Sequence, residues 1–370
     1  MKKRLKKRIS KALTEKRKPY WGGPVKEGVS QSLLHLYLAD KERFRLTVIE
    51  GLRGISDFNT PIEFGEMWHL CQEVWSESGS FKLVNEALKI HCAALLRDNM
   101  DWAAPVEKWF NVCKVLFPIY LDHWKDHPRE KSLKHFTQEE VFAERIELPN
   151  GNSVLFRGKF DGGVETKKKK GKKRYLKEHK SKGSIDIERI DRQLYFDLQT
   201  MSYIICFEQK HGVRLNGVEY DVVRRPLSGG KGNIRKKKGS ANVAAETWDE
   251  YYERLGGVLE ENADSFFFRW TVDINRSDIT KFKQEFFYPV LANLVDDYRW
   301  WSWCWENRKD HFDFSLRQKM FPGHLNRHFR LPYGVWNPTN FGFDHELDGY
   351  LNNGTMSGLH RSNEFFPELE

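Results

Sequence analysis

RYLKEHK at residues 174–180, read against VLFRGKFD at residues 154–161, decides the fold. Both stretches are short, rich in apolar and aromatic residues and bounded by polar or glycine-containing segments, the pattern of β-strands. A further strand is expected at Phe142–Leu148, and Pro149-Asn150-Gly151-Asn152 supplies the turn chemistry that makes it a hairpin with the second. Side chains alternate across a strand, so Glu178 and Lys180 share one face and His179 points to the other. If the hairpin pairs in this way, Asp161 joins that face. Two carboxylates then converge beside an amine.

Working outward, residues 186–209 read as a long helix and Gly217–Arg224 (GVEYDVVR) as a fourth strand. Upstream, Ser30–Leu38 is a capped amphipathic helix. Asn59–Trp75 is a second, with Thr60 as cap and Pro61 at the first helical position. A helical period then runs from Phe81 to Trp124, broken near Ala104-Pro105. Downstream, Ala245–Glu261 and Asp278–Asn307 are expected helices, the latter ending in Trp300, Trp301, Trp303 and Trp305. Helix, three strands, helix, strand describes an α/β core with helical additions on both sides. The expected organisation is a basic arm at 1–20, one domain at 21–340 with a helical insertion at about 76–140, and a polar tail at 341–370.

Composition narrows the class. The 370 residues carry 61 Lys and Arg against 52 Asp and Glu, and 14% are aromatic, which excludes a disordered chain. No apolar run is long enough for a transmembrane helix, and the basic start has no apolar stretch behind it to make a secretory signal. Cys71, Cys92, Cys113, Cys206 and Cys304 are scattered and odd in number, as for reduced thiols in a cytoplasmic setting. The net charge of +9 is very uneven. Residues 1–18 and 167–182 each carry +9 and residues 224–238 carry +7, which leaves the rest of the chain at −16. Basic blocks on an acidic body attract a polyanion by releasing its counterions. Lys172, Lys173, Arg174, Lys182, Arg224 and Arg235 are the candidates for following a phosphate backbone.

The carboxylate–lysine set suits a divalent, oxygen-seeking cation, Mg²⁺ or Mn²⁺, with Asp161 and Glu178 as ligands. Such a cation lowers the pKa of a bound water, and Lys180 is placed to orient that water or to stabilise developing negative charge. Phosphodiester hydrolysis is the chemistry this supports. Gln199 and Tyr203, an i, i+4 pair on the next helix, are placed to brace the cluster or touch the backbone. His69, one turn after Gly65, is a candidate third ligand through a ring nitrogen.

In order along the chain, Gly65…His69, Gly158-Lys159-Phe160-Asp161, Glu178-His179-Lys180 and Gln199…Tyr203 resemble the PD-(D/E)XK nuclease superfamily, specifically its RecB-like branch. Tyr251–Arg269 resembles a segment common in phage-encoded members. The resemblance implies a restriction-endonuclease-like αβββαβ core and metal-dependent DNA cleavage, in many relatives exonucleolytic. It implies His69, Asp161, Glu178 and the backbone carbonyl of His179 as metal ligands, and Lys180 as the catalytic lysine. DNA ends, single- or double-stranded, become the expected substrate, and a single-strand annealing or recombinase protein a candidate partner. Several relatives hold an iron–sulfur cluster on one early and three late cysteines. Neither Ala39–Arg43 nor residues 321–342 contain a cysteine, so no such cluster is expected.

Competing readings are weaker. Asp161 before a glycine also suits a turn, and Tyr203 within MSYIICF also suits plain core. Cys304, His311, His324 and His328 match no usual zinc spacing. Ser228-Gly229-Gly230-Lys231 is not a phosphate-binding loop. The tryptophans at 300–305 have the spacing of packing residues more than of a base-stacking platform. Two further functions stay open: a structure-selective or nicking endonuclease, and a nucleic-acid-binding accessory protein without turnover.

Overall fold

The computed structural model describes residues 18–54, 58–166, 171–185, 195, 197–226, 246–307 and 359–361. Strands are β1 Val29–Ser30, β2 Leu52–Gly54, β3 Leu133–Glu147, β4 Ser153–Thr166, β5 Arg174–Lys182, β6 Gly217–Arg224, β7 Phe267–Asp273 and β8 Leu359–Arg361. Helices are α1 Gln31–Ala39, α2 Lys41–Phe44, α3 Thr60–Ser78, α4 Phe81–Asp98, α5 Ala103–Lys125, α6 Pro128–Lys131, α7 Leu198–His211, α8 Trp248–Glu261, α9 Arg276–Lys281 and α10 Tyr288–Glu306. The basic arm, most of the lysine and glycine loops, Arg235, His311, His324, His328 and most of the expected tail lie outside the described residues.

The chain divides into two compact units, residues 1–57, 142–158 and 281–370 in one and 58–141 with 159–280 in the other. In the first, β1 runs parallel to β4, Val29 opposite Phe156. Ser30 caps α1 through its hydroxyl, which accepts from the Leu33 N–H. Trp21, Tyr37, Phe44 and Trp301 form an aromatic core with edge-on and tilted rings. β2 and β8 pair antiparallel.

The second unit carries the catalytic-type core. Its strand order is β3-β4-β5-β6-β7. β4 and β5 are antiparallel, β5 and β6 parallel, β6 and β7 antiparallel. A parallel neighbour requires a crossover, and α7 supplies it between β5 and β6. Helices α3, α5 and α8 share one apolar cluster with Val223 and Phe267 of the sheet. On α3 the fully buried positions are Phe64, Met67, Trp68 and Cys71, the i, i+3, i+4, i+7 stripe of a core-facing helix. Each such side chain contributes about 1.5–3 kcal/mol on burial. This is the α/β, restriction-endonuclease-like mixed sheet flanked by helices that the sequence leads one to expect.

Several boundaries differ. The strand expected from Phe142 begins at Leu133, inside the stretch read as helical. Asn59, not Thr60, occupies the N-cap of α3, and Thr60 is its first helical residue. The break between the two long helices falls at Asn99–Trp102, while Pro105 sits in the first turn of α5, where a missing N–H costs nothing. The helix expected over 186–209 is described as Leu198–His211, with 186–194 outside the described residues. β7 has no counterpart in the sequence reading. The last long helix begins at Arg276 and passes through a π-helical segment at Phe282–Phe287 before α10.

Candidate active site

The β4–β5 ladder runs from Glu165↔Arg174 to Gly162↔Lys177. Past that point Asp161 replaces a backbone acceptor: its Oδ2 accepts the His179 N–H at 2.6 Å. Asp161 is 8% exposed, and burial pushes its carboxyl upward from the usual carboxylate range. His69 Nδ1 stands 3.5 Å from Asp161 Oδ1. One turn earlier Gly65 faces β5, where an added Cβ would sit in ordinary contact, 3.6 Å from Ser181 Oγ. The imidazole is pushed down to about 4 by burial, so at neutral pH it is uncharged and can offer a lone pair.

A third group, which the sequence reading did not contain, completes this cluster. Ligand atoms of His69, Glu139 and Asp161 all lie within 4.8 Å of one another. Glu139 is the only non-glycine residue with positive φ among the described residues, at 43°. Holding a glutamate left-handed in mid-strand costs of order 1–3 kcal/mol. Its carboxylate pairs with Lys159 Nζ at 3.2 Å, and the same amine meets Glu73 at 2.8 Å. Burial, then the Asp161 charge, raises the Glu139 carboxyl. Two carboxylate oxygens and a neutral imidazole nitrogen fit a divalent cation such as Mg²⁺ or Mn²⁺.

Glu178 is fully buried and lies outside that three-residue cluster, though its carboxylate is the strongest charge acting on His69. It meets Lys180 Nζ at 2.9 Å. Gln199 joins the two: its Oε1 accepts from Lys180 Nζ at 2.6 Å, and its Nε2 donates to Glu178 Oε2 at 3.2 Å. Asp197 caps α7 by accepting from the Thr200 N–H at 3.0 Å, which fixes the turn that carries Gln199. Burial pulls the Lys180 amine down, but the Glu178 and Asp197 charges outweigh it and the net shift is upward. Lys180 is therefore an ammonium at working pH.

The remaining expected residues are spread out. Tyr203 is 7% exposed, packs edge-on against Phe160 at 5.6 Å and meets the backbone of Lys159, so it supports β4 from the core. The His179 ring does not leave the site; it stands edge-on to His69 at 6.0 Å, with Nδ1 3.8 Å from Asp221. Lys172 and Arg174 pair with Glu165, and Lys173 with Asp273, at the opposite end of β5 from Lys180. Lys182 and Arg224 face each other in register at the near end. Beneath lies a buried network with no signature in the sequence. Asp221 accepts from Tyr120 at 2.5 Å and pairs with Arg269 at 2.9 Å, and Arg269 reaches Glu130 and covers Trp124.

Strands that part at a buried aspartate, with a glutamate–lysine pair on the next strand, suit metal-dependent phosphodiester hydrolysis. Residues 28–272 match the family model of the PD-(D/E)XK nuclease superfamily, and the chain belongs to that superfamily. Its members hydrolyse phosphodiester bonds with divalent metal ions. A search of curated proteins gave no match. Among the described residues no helix is long and apolar enough to cross a membrane.

Proposed function

We propose that the protein is a Mg²⁺- or Mn²⁺-dependent deoxyribonuclease of the RecB-like branch, acting as an exonuclease on DNA ends in phage recombination or DNA processing. The observation that carries this reading is Gln199 bridging Lys180 and Glu178, since a glutamine on the helix after the glutamate–lysine strand is the mark of that branch. His69, Glu139 and Asp161 would hold the cation, with Glu178 and the His179 carbonyl as the other ligands the family resemblance implies. A bound cation supplies charge neutralisation at the phosphoryl oxygens and a more acidic water.

Lys180 does the rest as a fixed positive charge. An ammonium has three N–H donors. Two are taken by Glu178 and Gln199, and the third is uncommitted among the described residues. It is available to orient the attacking water or to meet charge developing on the phosphate. As a positive charge the amine stabilises negative charge developing in the transition state.

The test is digestion of end-labelled linear and closed circular DNA with Mg²⁺, with Mn²⁺ and with EDTA. Metal-dependent loss of the linear form alone is expected, and the label lost first gives the polarity. Cutting of the circle would replace the exonuclease with an endonuclease. Binding without cleavage in either metal would leave an accessory protein.

A further inference from the structure

A cavity of about 630 Å³ opens directly beside the metal-ligand cluster and shares Asp161 and Glu139 with it. That volume is in the range of sites that hold small organic groups. Its walls include Trp75 and Phe81, whose rings lie 4.7 Å apart, and Phe81 is 40% exposed. Both rings pack edge-on against buried Phe117, at 6.3 and 6.2 Å, and both also line the cavity, where an aromatic surface can stack on a flat partner.

The interior is polar and short of partners. Gln72 and His179 are 8% and 3% exposed, and Gln72 Nε2 and His179 Nδ1 have no hydrogen bond. A buried donor without an acceptor costs about 1–3 kcal/mol, so the Gln72 amide is a cost of the native state that a partner in the cavity would offset. The Lys177 amine also lines this wall and has no ion pair or hydrogen bond among the described residues. Carboxylates of Asp122, Glu130, Glu139 and Asp161 line the cavity together with Lys125, Lys177 and Arg269, so the lining is of mixed charge with no excess of positive charge to hold a second phosphate. A flat, uncharged group with hydrogen-bonding edges fits both the walls and the charge.

We propose that this cavity receives the unpaired nucleobase of the nucleotide whose phosphate sits at the His69–Glu139–Asp161 cluster. The inference rests on the nuclease reading and narrows its substrate. A base stacked and paired in a duplex cannot enter, so the enzyme takes single strands or frayed ends. Trp75 and Phe81 stack on the base, and Gln72 and Lys177 address its edge.

The test uses the full chain with a short single-stranded DNA carrying 2-aminopurine at one terminus or the other, with Ca²⁺ replacing Mg²⁺. Binding is followed by anisotropy and base stacking by 2-aminopurine emission. An emission change for one label position is expected, and Phe81→Ala should weaken binding by roughly 5- to 100-fold, with its fold checked by circular dichroism because Phe81 also packs against Trp75 and Phe117. Lys177→Met, which leaves the aromatic walls untouched, should lower affinity without abolishing the emission change. A blunt duplex should compete poorly. Cleavage with no emission change at either label, or unchanged affinity in both variants, would overturn the base site and leave the nuclease standing. An emission change lost in Phe81→Ala, in a protein that cleaves DNA with neither Mg²⁺ nor Mn²⁺, would keep the base site and overturn the nuclease reading.

Discussion

Asp161 Oδ2 takes the His179 N–H at 2.6 Å where the β4–β5 ladder has ended, so one carboxylate both closes the sheet and joins the His69–Glu139 cluster. The two roles separate by substitution. Asp161→Asn keeps an oxygen for the His179 N–H but removes the negative charge. Asp161→Ala removes both and leaves a buried donor unpaired, at about 1–3 kcal/mol. Cleavage should fall on the order of 10²-fold or more in each variant. Only the alanine variant should lose stability in thermal unfolding. Equal melting temperatures for the two would mean that the side chain does not anchor β5.

Glu139 offers a sharper test of the cation site, because its backbone is held at φ 43° to bring the carboxylate in. Glu139→Gln should weaken Mn²⁺ binding, measured by calorimetry, by roughly tenfold or more. Glu139→Gly should do the same while relieving backbone strain, since glycine adopts this conformation without a Cβ clash. Unfolding of the glycine variant at no lower temperature than the glutamine variant, with both impaired in Mn²⁺ binding, is the expected pair of results.

The Gln199 side chain touches both members of the glutamate–lysine pair and makes no other hydrogen bond among the described residues. Gln199→Leu leaves Lys180 with one partner and free to rotate about it. Misplacing a reacting group in this way costs up to roughly a hundredfold in kcat, with KM little changed. Gln199→Glu keeps the acceptor for Lys180 but sets a second carboxylate against Glu178, and should also be slow. A leucine variant as fast as the parent would remove Gln199 from the mechanism.

Much of this site was legible because its residues lie at strand and helix periods. Glu178 and Lys180 two apart, and Gly65 and His69 four apart, fall where local geometry alone puts them. β6 was readable to its ends because GVEYDVVR is buried almost throughout. β3 was not. Its burial alternates from Leu133, but the left-handed Glu139 interrupts the period in the middle of QEE, and what remains reads as polar and helical. Glu139 was invisible for the same reason, since an acid next to another acid looks like solvated surface until the fold brings Lys159 to it. The Asp221–Arg269 pair joins residues 48 apart across two strands, and β7 itself was hidden inside an aromatic run.

Glu63 gives a pH dependence independent of the cation site. It lies in the first turn of α3, 8% exposed, and its Oε2 has no hydrogen bond. Burial, and then the nearby Glu66 charge, raise its carboxyl to about 7. The start of the helix opposes this by favouring a negative charge, an effect worth only about 0.3–1 kcal/mol. A carboxyl whose folded pKa is raised binds its proton more tightly folded than unfolded. Its contribution to stability is fully present below the unfolded value near 4.5 and is lost as pH rises through about 7. The loss is on the order of 3 kcal/mol before the helix-start effect is deducted. Glu63→Gln stays neutral throughout, so its melting temperature should match the parent's near the low end of that window. At pH above the folded value it should exceed the parent's by a few degrees. A difference between the two proteins that stays constant across the window would mean that Glu63 is charged in the folded protein at every pH tested.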